Sequence, residues 1–201
     1  MDTQLNEQEF ETILNRSLRG DQVAFTELYQ LFASSVYRLA YSILLHRQDA
    51  EDVVQEVFVY VFRSLHQYDS ERGAFRTWLY TITVSRCRNA RRRKVLPMVA
   101  LGDLLAYGIE PSGPESENPE ATSLRHDANR MLGEALKKLT PRLRESVALR
   151  YGQGLTYREM GDILNIPPKT AESRIRLAHN ALREVFREDD ITLLEQVLGH
   201  A

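Results

Sequence analysis

Cysteine is almost missing from this chain: Cys87 is the one residue of its type among 201. An intrachain disulfide is therefore excluded, which suits a reducing compartment, and a cytoplasmic location is expected. Long apolar runs are missing as well. No stretch approaches the roughly 20 residues that a bilayer crossing requires, so direct membrane insertion is not expected. The opening segment, MDTQLNEQEFETILNRS, is polar and acidic and has no apolar centre of the kind a secretory signal carries. The histidines, at 46, 66, 126, 179 and 200, stand too far apart for metal-ligand spacing. There is no Gly-rich phosphate loop and no nucleophile motif. The chain is thus expected to be no enzyme and to hold no metal or cofactor. Alternating strand patterns bounded by turn dipeptides are absent too, which leaves β structure without support.

What is present is helical and charged. Hydrophobic residues make up 43% and charged residues 27%, a globular composition. The net charge of −2 looks unsuited to nucleic acid, but the average hides segregation. Residues 1–71 are acidic on balance. Residues 72–94 carry Arg72, Arg76, Arg86, Arg88, Arg91, Arg92, Arg93 and Lys94 without one acid. Residues 99–127 turn acidic, and residues 137–187 are basic.

Apolar periodicity predicts helices over about 7–18, 21–46, 49–68 and 75–94. Asp21 is the candidate N-cap of the second, with Phe25, Leu28, Phe32, Val36, Leu39 and Ile43 on one face. The third buries Val53, Val57, Val61 and Leu65, and its first turn places acids where the helix dipole favours them. Proline, glycine, serine and glutamate then crowd residues 97–122, a linker composition. About 25 extended residues at roughly 3.3 Å each would span on the order of 80 Å, enough to hold two domains apart. A helix is predicted from Leu124 to Leu139, followed by Thr140-Pro141 as N-cap and first helical residue. The fold class expected is all-α: two small helical domains joined by a long acidic linker. The divisions are 1–96, 97–123 (linker), 124–188 and 189–201 (tail).

The strongest local pattern runs from Leu155 to Arg183. Thr156-Tyr-Arg-Glu159 fits a capping box, and a helix is predicted over 157–164. Asn165-Ile166-Pro167 makes a turn, with Ile166 as the apolar plug and the proline barring continuation. Gly161, in the middle of a helix, costs about 1 kcal/mol against alanine and implies close approach by the crossing helix. The next helix buries Ala171, Ile175, Ala178 and Leu182. Its opposite face shows Lys169, Thr170, Ser173, Arg176, Leu177 and Asn180, flanked by Glu172, Arg174, His179 and Arg183. Polar groups near the start of such a helix are what base edges require. Arg176 suits bidentate readout of guanine, and Leu177 a thymine methyl. Arg158 suits a phosphate. An ordinary helical hairpin with solvated charges is the competing reading.

Two further clusters matter. Helix 75–94 joins aromatics to arginines. Arg76, Arg86, Arg88, Arg91 and Arg92 offer phosphate charge, while Phe75 and Trp78 either stack on unpaired bases or belong to the core. Asp49, Glu51, Asp52 and Glu56, with Gln55, form an acidic face. It reads as N-terminal capping or a protein-binding surface rather than a catalytic carboxylate cluster.

These strings resemble a known family. DAEDVVQEVF (49–58) is similar to the polymerase-binding helix of the sigma-70 family, and GAFRTWLYTITVSR (73–86) to its promoter-melting helix. Residues 139–184 resemble its domain for the upstream promoter element. The order of the motifs, without a middle domain, matches the extracytoplasmic function (ECF) subgroup. The resemblance implies that Asp49, Glu51, Asp52, Gln55 and Glu56 face the β′ clamp helices of core RNA polymerase, with the β flap as a further contact. It implies that Tyr68, Asp69, Ser70, Arg72, Phe75, Arg76, Trp78, Ser85, Arg86, Arg88, Arg91 and Arg92 serve the melted −10 strand. It implies that Arg158, Lys169, Thr170, Glu172, Ser173, Arg174, Arg176, Leu177 and Asn180 serve the −35 duplex of promoter DNA. The linker would thread toward the RNA exit path. An anti-sigma factor, often membrane-bound in this group, is the implied inhibitory partner. Ser85 and Asn89 stand where the family often has asparagine and aspartate, and Glu172 and Leu177 where it is frequently basic. A stand-alone helix-turn-helix regulator would need neither the acidic face nor the basic aromatic helix.

Overall fold

The structure, a computed structural model, describes residues 7–100 and 132–183, with the backbone alone at Glu7 and over 95–100. All regular structure among the described residues is helical. The first unit holds α1 (Glu7–Leu18), α2 (Gln22–Leu44), α3 (Arg47–Ser64) and α4 (Phe75–Ala100). The second holds α5 (132–138), α6 (Pro141–Val147), α7 (Tyr157–Leu164) and α8 (Pro168–Arg183). Much of the expected linker, the expected start of a helix at Leu124 and the tail after Arg183 lie outside the described residues.

Local chemistry sets the helix starts. The Asp21 carboxylate accepts from the Val23 and Ala24 N–H groups at 2.9 and 3.4 Å, satisfying donors that α2 leaves open. Arg16 of α1 grips both Asp21 (2.8 Å) and Glu27 (3.0 Å), tying α1 to α2. The Arg16 guanidinium in turn holds the Asp21 carboxyl below its ordinary value. The predicted stripe of α2 is inward: Leu28, Val36, Leu39 and Ile43 are buried, with Phe25 and Phe32 partly so. Val53, Val57 and Val61 of α3 are buried as well, together with Leu65 in the short 3₁₀ turn that follows.

Two differences from expectation bear on the site. Helix α4 does not stop near Lys94; it runs through Pro97 to Ala100, although an interior proline removes one backbone hydrogen bond. More important, the two units do not stand apart. One buried cluster runs through both, from Leu79, Tyr80 and Cys87 of α4 to Leu149, Leu155 and Met160 of the second unit. A smaller cluster packs Leu45 against Leu136, Leu139 and Ala178. The contact works because apolar surface leaves water on both sides while the polar groups at its margin find partners across it.

Candidate nucleic-acid interface

The helix-turn-helix is built by its own short-range chemistry. Thr156 Oγ1 accepts from the Glu159 N–H at 3.3 Å, and the Glu159 carboxylate accepts from the Thr156 N–H and hydroxyl at 2.7 Å each. This reciprocal box fixes the first turn of α7. Helix α7 ends at Asn165 in the left-handed region (φ 54°), a conformation that asparagine tolerates. The chain then turns through Ile166 and Pro167 into α8. Gly161 is needed here for a reason somewhat different from the one expected. A Cβ on it would lie 2.8 Å from the Ile166 carbonyl oxygen and 3.4 Å from the Pro168 nitrogen. The close approach is by the turn backbone rather than by the body of the crossing helix.

Helix α8 buries Ala171, Ile175 and Ala178, with Leu182 partly buried beside them. Its other face is open: Lys169, Thr170, Glu172, Arg176, Leu177 and Asn180 are exposed, and Ser173 and Arg174 are half-buried. Lys169, Thr170, Glu172, Ser173 and Arg176 line a groove of about 750 Å³ whose floor includes Tyr157 and Ile175. Arg158 is exposed at the start of α7. His179 lies at the groove's far edge, where Nε2 meets the Tyr151 hydroxyl at 2.6 Å.

Around the loop between α3 and α4 the structure separates the expected residues. Asp69 caps the 3₁₀ turn Ser70–Arg72 through the Glu71 N–H (3.0 Å) and pairs with Arg72 at 3.2 Å. Asp69, Ser70, Arg72 and Ser85 are exposed. Phe75 is not available: it is 3% exposed and lies among the rings of Phe10, Phe32, Tyr68 and Trp78. It supports the loop from within and cannot stack on a base. Tyr68 and Trp78 are half-buried on the outer side of this cluster, their ring centroids 5.6 Å apart. The Tyr68 hydroxyl donates to the Gly73 carbonyl at 3.1 Å. Arg86 lies over the Tyr60 ring at 4.8 Å.

Three arginines of α4 turn toward the second unit. Arg76 donates to the Gln153 carbonyl at 2.9 Å. Arg88 and Arg91 reach the Glu145 carboxylate of α6 at 2.8 and 3.4 Å. Arg92 is exposed beside them, and Arg142 and Arg174 line the same cleft. Burial pushes the Arg174 guanidinium below its ordinary value; Glu145 opposes that, while Arg142 and Arg88 add to it. Sequence reasoning did not single out Glu145, Gln153 or Arg142. One signal was present: Glu145 is the only acid between Lys137 and Arg158.

The acidic face of α3 is solvent-facing and partly self-neutralised. Glu51, Asp52 and Gln55 are exposed, and Asp49 and Glu56 are half-buried. Lys94 and Arg93 of α4 pair with Asp49 (2.6 Å) and Glu56 (2.7 Å), and Arg47 pairs with Glu51 (2.9 Å). Among the described residues no cluster of histidine, cysteine and carboxylate suits a metal ion, and no helix is long and apolar enough to cross a membrane.

An open polar helix on a capped helix-turn-helix, joined to an arginine-rich helical unit, fits a DNA-binding transcription protein. The comparisons with known proteins narrow this. Residues 28–95 match the family model of Sigma-70 region 2, and residues 129–182 that of Sigma-70, region 4. The chain is 38% identical over 171 residues to the ECF RNA polymerase sigma factor SigE of Mycolicibacterium smegmatis, a match spanning 82% of this chain and 63% of that one. It is 30% identical over 181 residues to the ECF RNA polymerase sigma factor SigK of Mycobacterium tuberculosis, spanning 87% and 92%. The fold is shared with the sigma factor RpoE of Bartonella quintana, solved with the anti-sigma factor NepR (TM-score 0.64, 19% identity, covering 80% and 95%). It is also shared with CnrH, solved with the cytosolic domain of CnrY (TM-score 0.61, 23% identity, covering 87% and 94%). The chain belongs to the sigma-70 family, in its ECF group, whose members direct promoter-specific transcription initiation.

Proposed function

We propose that this chain binds core RNA polymerase through the acidic face of α3 and delivers it to promoters by reading two DNA elements. The open polar face of α8 carries the reading. Arg176, Lys169, Ser173 and Leu177 meet base edges of the −35 duplex, and Arg158 a phosphate, with Thr170, Glu172, Arg174 and Asn180 around them. The loop Tyr68–Gly73, Trp78 and the arginines Arg76, Arg86, Arg88, Arg91 and Arg92, with Ser85, hold the melted −10 strand. Phosphate charge supplies affinity there, and ring faces supply stacking.

Asp49, Glu51, Asp52, Gln55 and Glu56 dock on the β′ clamp helices, and the second unit contacts the β flap. The working divisions are 1–96 for polymerase and −10 contacts, 97–123 as linker, 124–188 for the −35 element and 189–201 as tail. The protein works in the cytoplasm, contributes no chemistry of its own and leaves bond-making to polymerase. An anti-sigma factor is its inhibitory partner. The complex of the sigma factor RpoE with the anti-sigma factor NepR supports that part of the reading.

Docking is tested by Asp52→Arg with Glu56→Arg. The double variant should fold but no longer co-purify with core polymerase. Retained co-purification would overturn the docking surface.

A further inference from the structure

The seam between the two units is made from the groups that the proposed function assigns to DNA. Glu145 is fully buried, its side chain 1% exposed, while Arg88 and Arg91 keep 37% and 36% of theirs. Glu145 Oε1 accepts from Nε of Arg88 at 3.2 Å and Oε2 from Nη2 at 2.8 Å, the forked geometry by which arginine grips a phosphate. Arg91 adds a third donor at 3.4 Å. Farther along α4, Arg76 is held by the Gln153 carbonyl, and the Tyr80 hydroxyl donates to Gln153 Oε1 at 2.6 Å. Residues 76, 80, 87 and 91 fall on one stripe of α4 at helical spacing, and that stripe faces the second unit.

We infer that Glu145 stands in for a DNA phosphate within the chain. It locks Arg88 and Arg91 against α6 and holds the protein in a closed form that cannot take up the −10 strand until the units part. The inference rests on the proposed role of the α4 arginines. A carboxylate is the natural occupant, since it carries the charge and the paired oxygens of a phosphate. The cleft keeps an excess of positive charge even with Glu145 in place, because Arg92, Arg142 and Arg174 line it too. A nucleic-acid strand can therefore compete for the same guanidiniums. The exposed acids of α3 and the polar face of α8 stay open in the closed form. Polymerase can thus engage before the seam parts.

Cys87 reports on the seam. It lies on the covered stripe, is fully buried, and its thiol is pushed up to about 12 by burial, with Glu145 adding to the effect. In the full-length free protein at pH 8, N-ethylmaleimide should modify it very slowly. Glu145→Gln should raise the open fraction, and with it the rate of modification, about a hundredfold, equivalent to about 3 kcal/mol for a broken buried ion pair. The same variant should bind a fluorescein-labelled single-stranded 20-mer more tightly than the parent at equal salt. Tyr80→Phe with Gln153→Leu breaks the other half of the seam and should speed modification by at least about tenfold. That variant decides the matter if Glu145→Gln does not fold. Unchanged maleimide rates and unchanged strand affinity in the folded variants would overturn the latch. Neither readout involves polymerase. Failure of the Asp52→Arg/Glu56→Arg test would strike the docking surface and leave these results standing.

Discussion

The Tyr80 hydroxyl donates a 2.6 Å hydrogen bond to Gln153 Oε1, joining α4 to the turn before α7 across 73 residues of chain. Both groups are buried, and Gln153 Nε2 also donates to the Ser35 carbonyl at 3.4 Å. The amide is thus oriented from two helices, α4 and α2. Removing the hydroxyl leaves a buried acceptor without its donor, which costs about 1–3 kcal/mol. Tyr80→Phe should lower stability by that amount in urea unfolding. A variant as stable as the parent would show that the bond contributes nothing beyond what water supplies.

Arg176, the proposed base reader of α8, is exposed and lies in the groove with Lys169 and Ser173. Arg176→Ala should weaken binding of the −35 duplex by about 1–3 kcal/mol and relax the preference at one base pair. Binding across a duplex library distinguishes the two roles open to it. Loss confined to one position marks base readout, and equal loss for every sequence marks a phosphate contact.

Gly161 tests the packing of the turn. Alanine would gain about 1 kcal/mol of helix propensity, but its Cβ would press on the Ile166 carbonyl at 2.8 Å, and that oxygen belongs to backbone. Overpacking of this kind costs about 1–3 kcal/mol, so Gly161→Ala should be net destabilising in thermal melts. It should also weaken duplex binding by shifting α8 against α7. A melting temperature above the parent's would contradict this account of the turn.

The capping box gives a pH dependence with a defined sign. The Thr156 hydroxyl, and after it the Thr156 N–H, hold the Glu159 carboxyl below its ordinary 4.5. A carboxyl lowered by folding contributes stability that is complete above the unfolded value and fades as pH falls through the folded one. The contribution should therefore be full at neutral pH and lost progressively below about pH 4.5. Thr156→Ala should cost about 1 kcal/mol at pH 7. The gap between variant and parent should narrow as the buffer is taken below pH 4.5. A gap that widens on acidification would contradict a folded-state carboxyl value below the unfolded one.

Helices α2, α3, α7 and α8 were legible in the sequence to within a few residues because their signals are local. Asp21, Thr156 and Pro167 each act on neighbours within one turn, and apolar periodicity marks the buried face. The open face of α8 was legible for the same reason. The clasp between the units was not. Glu145 reads in RLRESVALR as one more solvated charge, and its partners lie 57 and 54 residues earlier, on a helix whose arginines look free for phosphate. No periodicity connects the two. Phe75 shows a related limit. An aromatic beside a basic loop fits a stacking platform or a core equally well, and only the surrounding rings of Phe10, Phe32 and Tyr68 decide for the core. The run of α4 past Pro97 went against a sound local rule.

Run-off transcription with core polymerase on a randomised promoter library decides between sigma activity and simple DNA binding. With this protein added, transcripts should come from a selected subset of templates, with two conserved elements at fixed spacing upstream of the start. Arg176→Ala should blur one position of the upstream element only. No transcription above core polymerase alone, together with tight duplex binding by the free chain, would contradict the account and mark a stand-alone regulator.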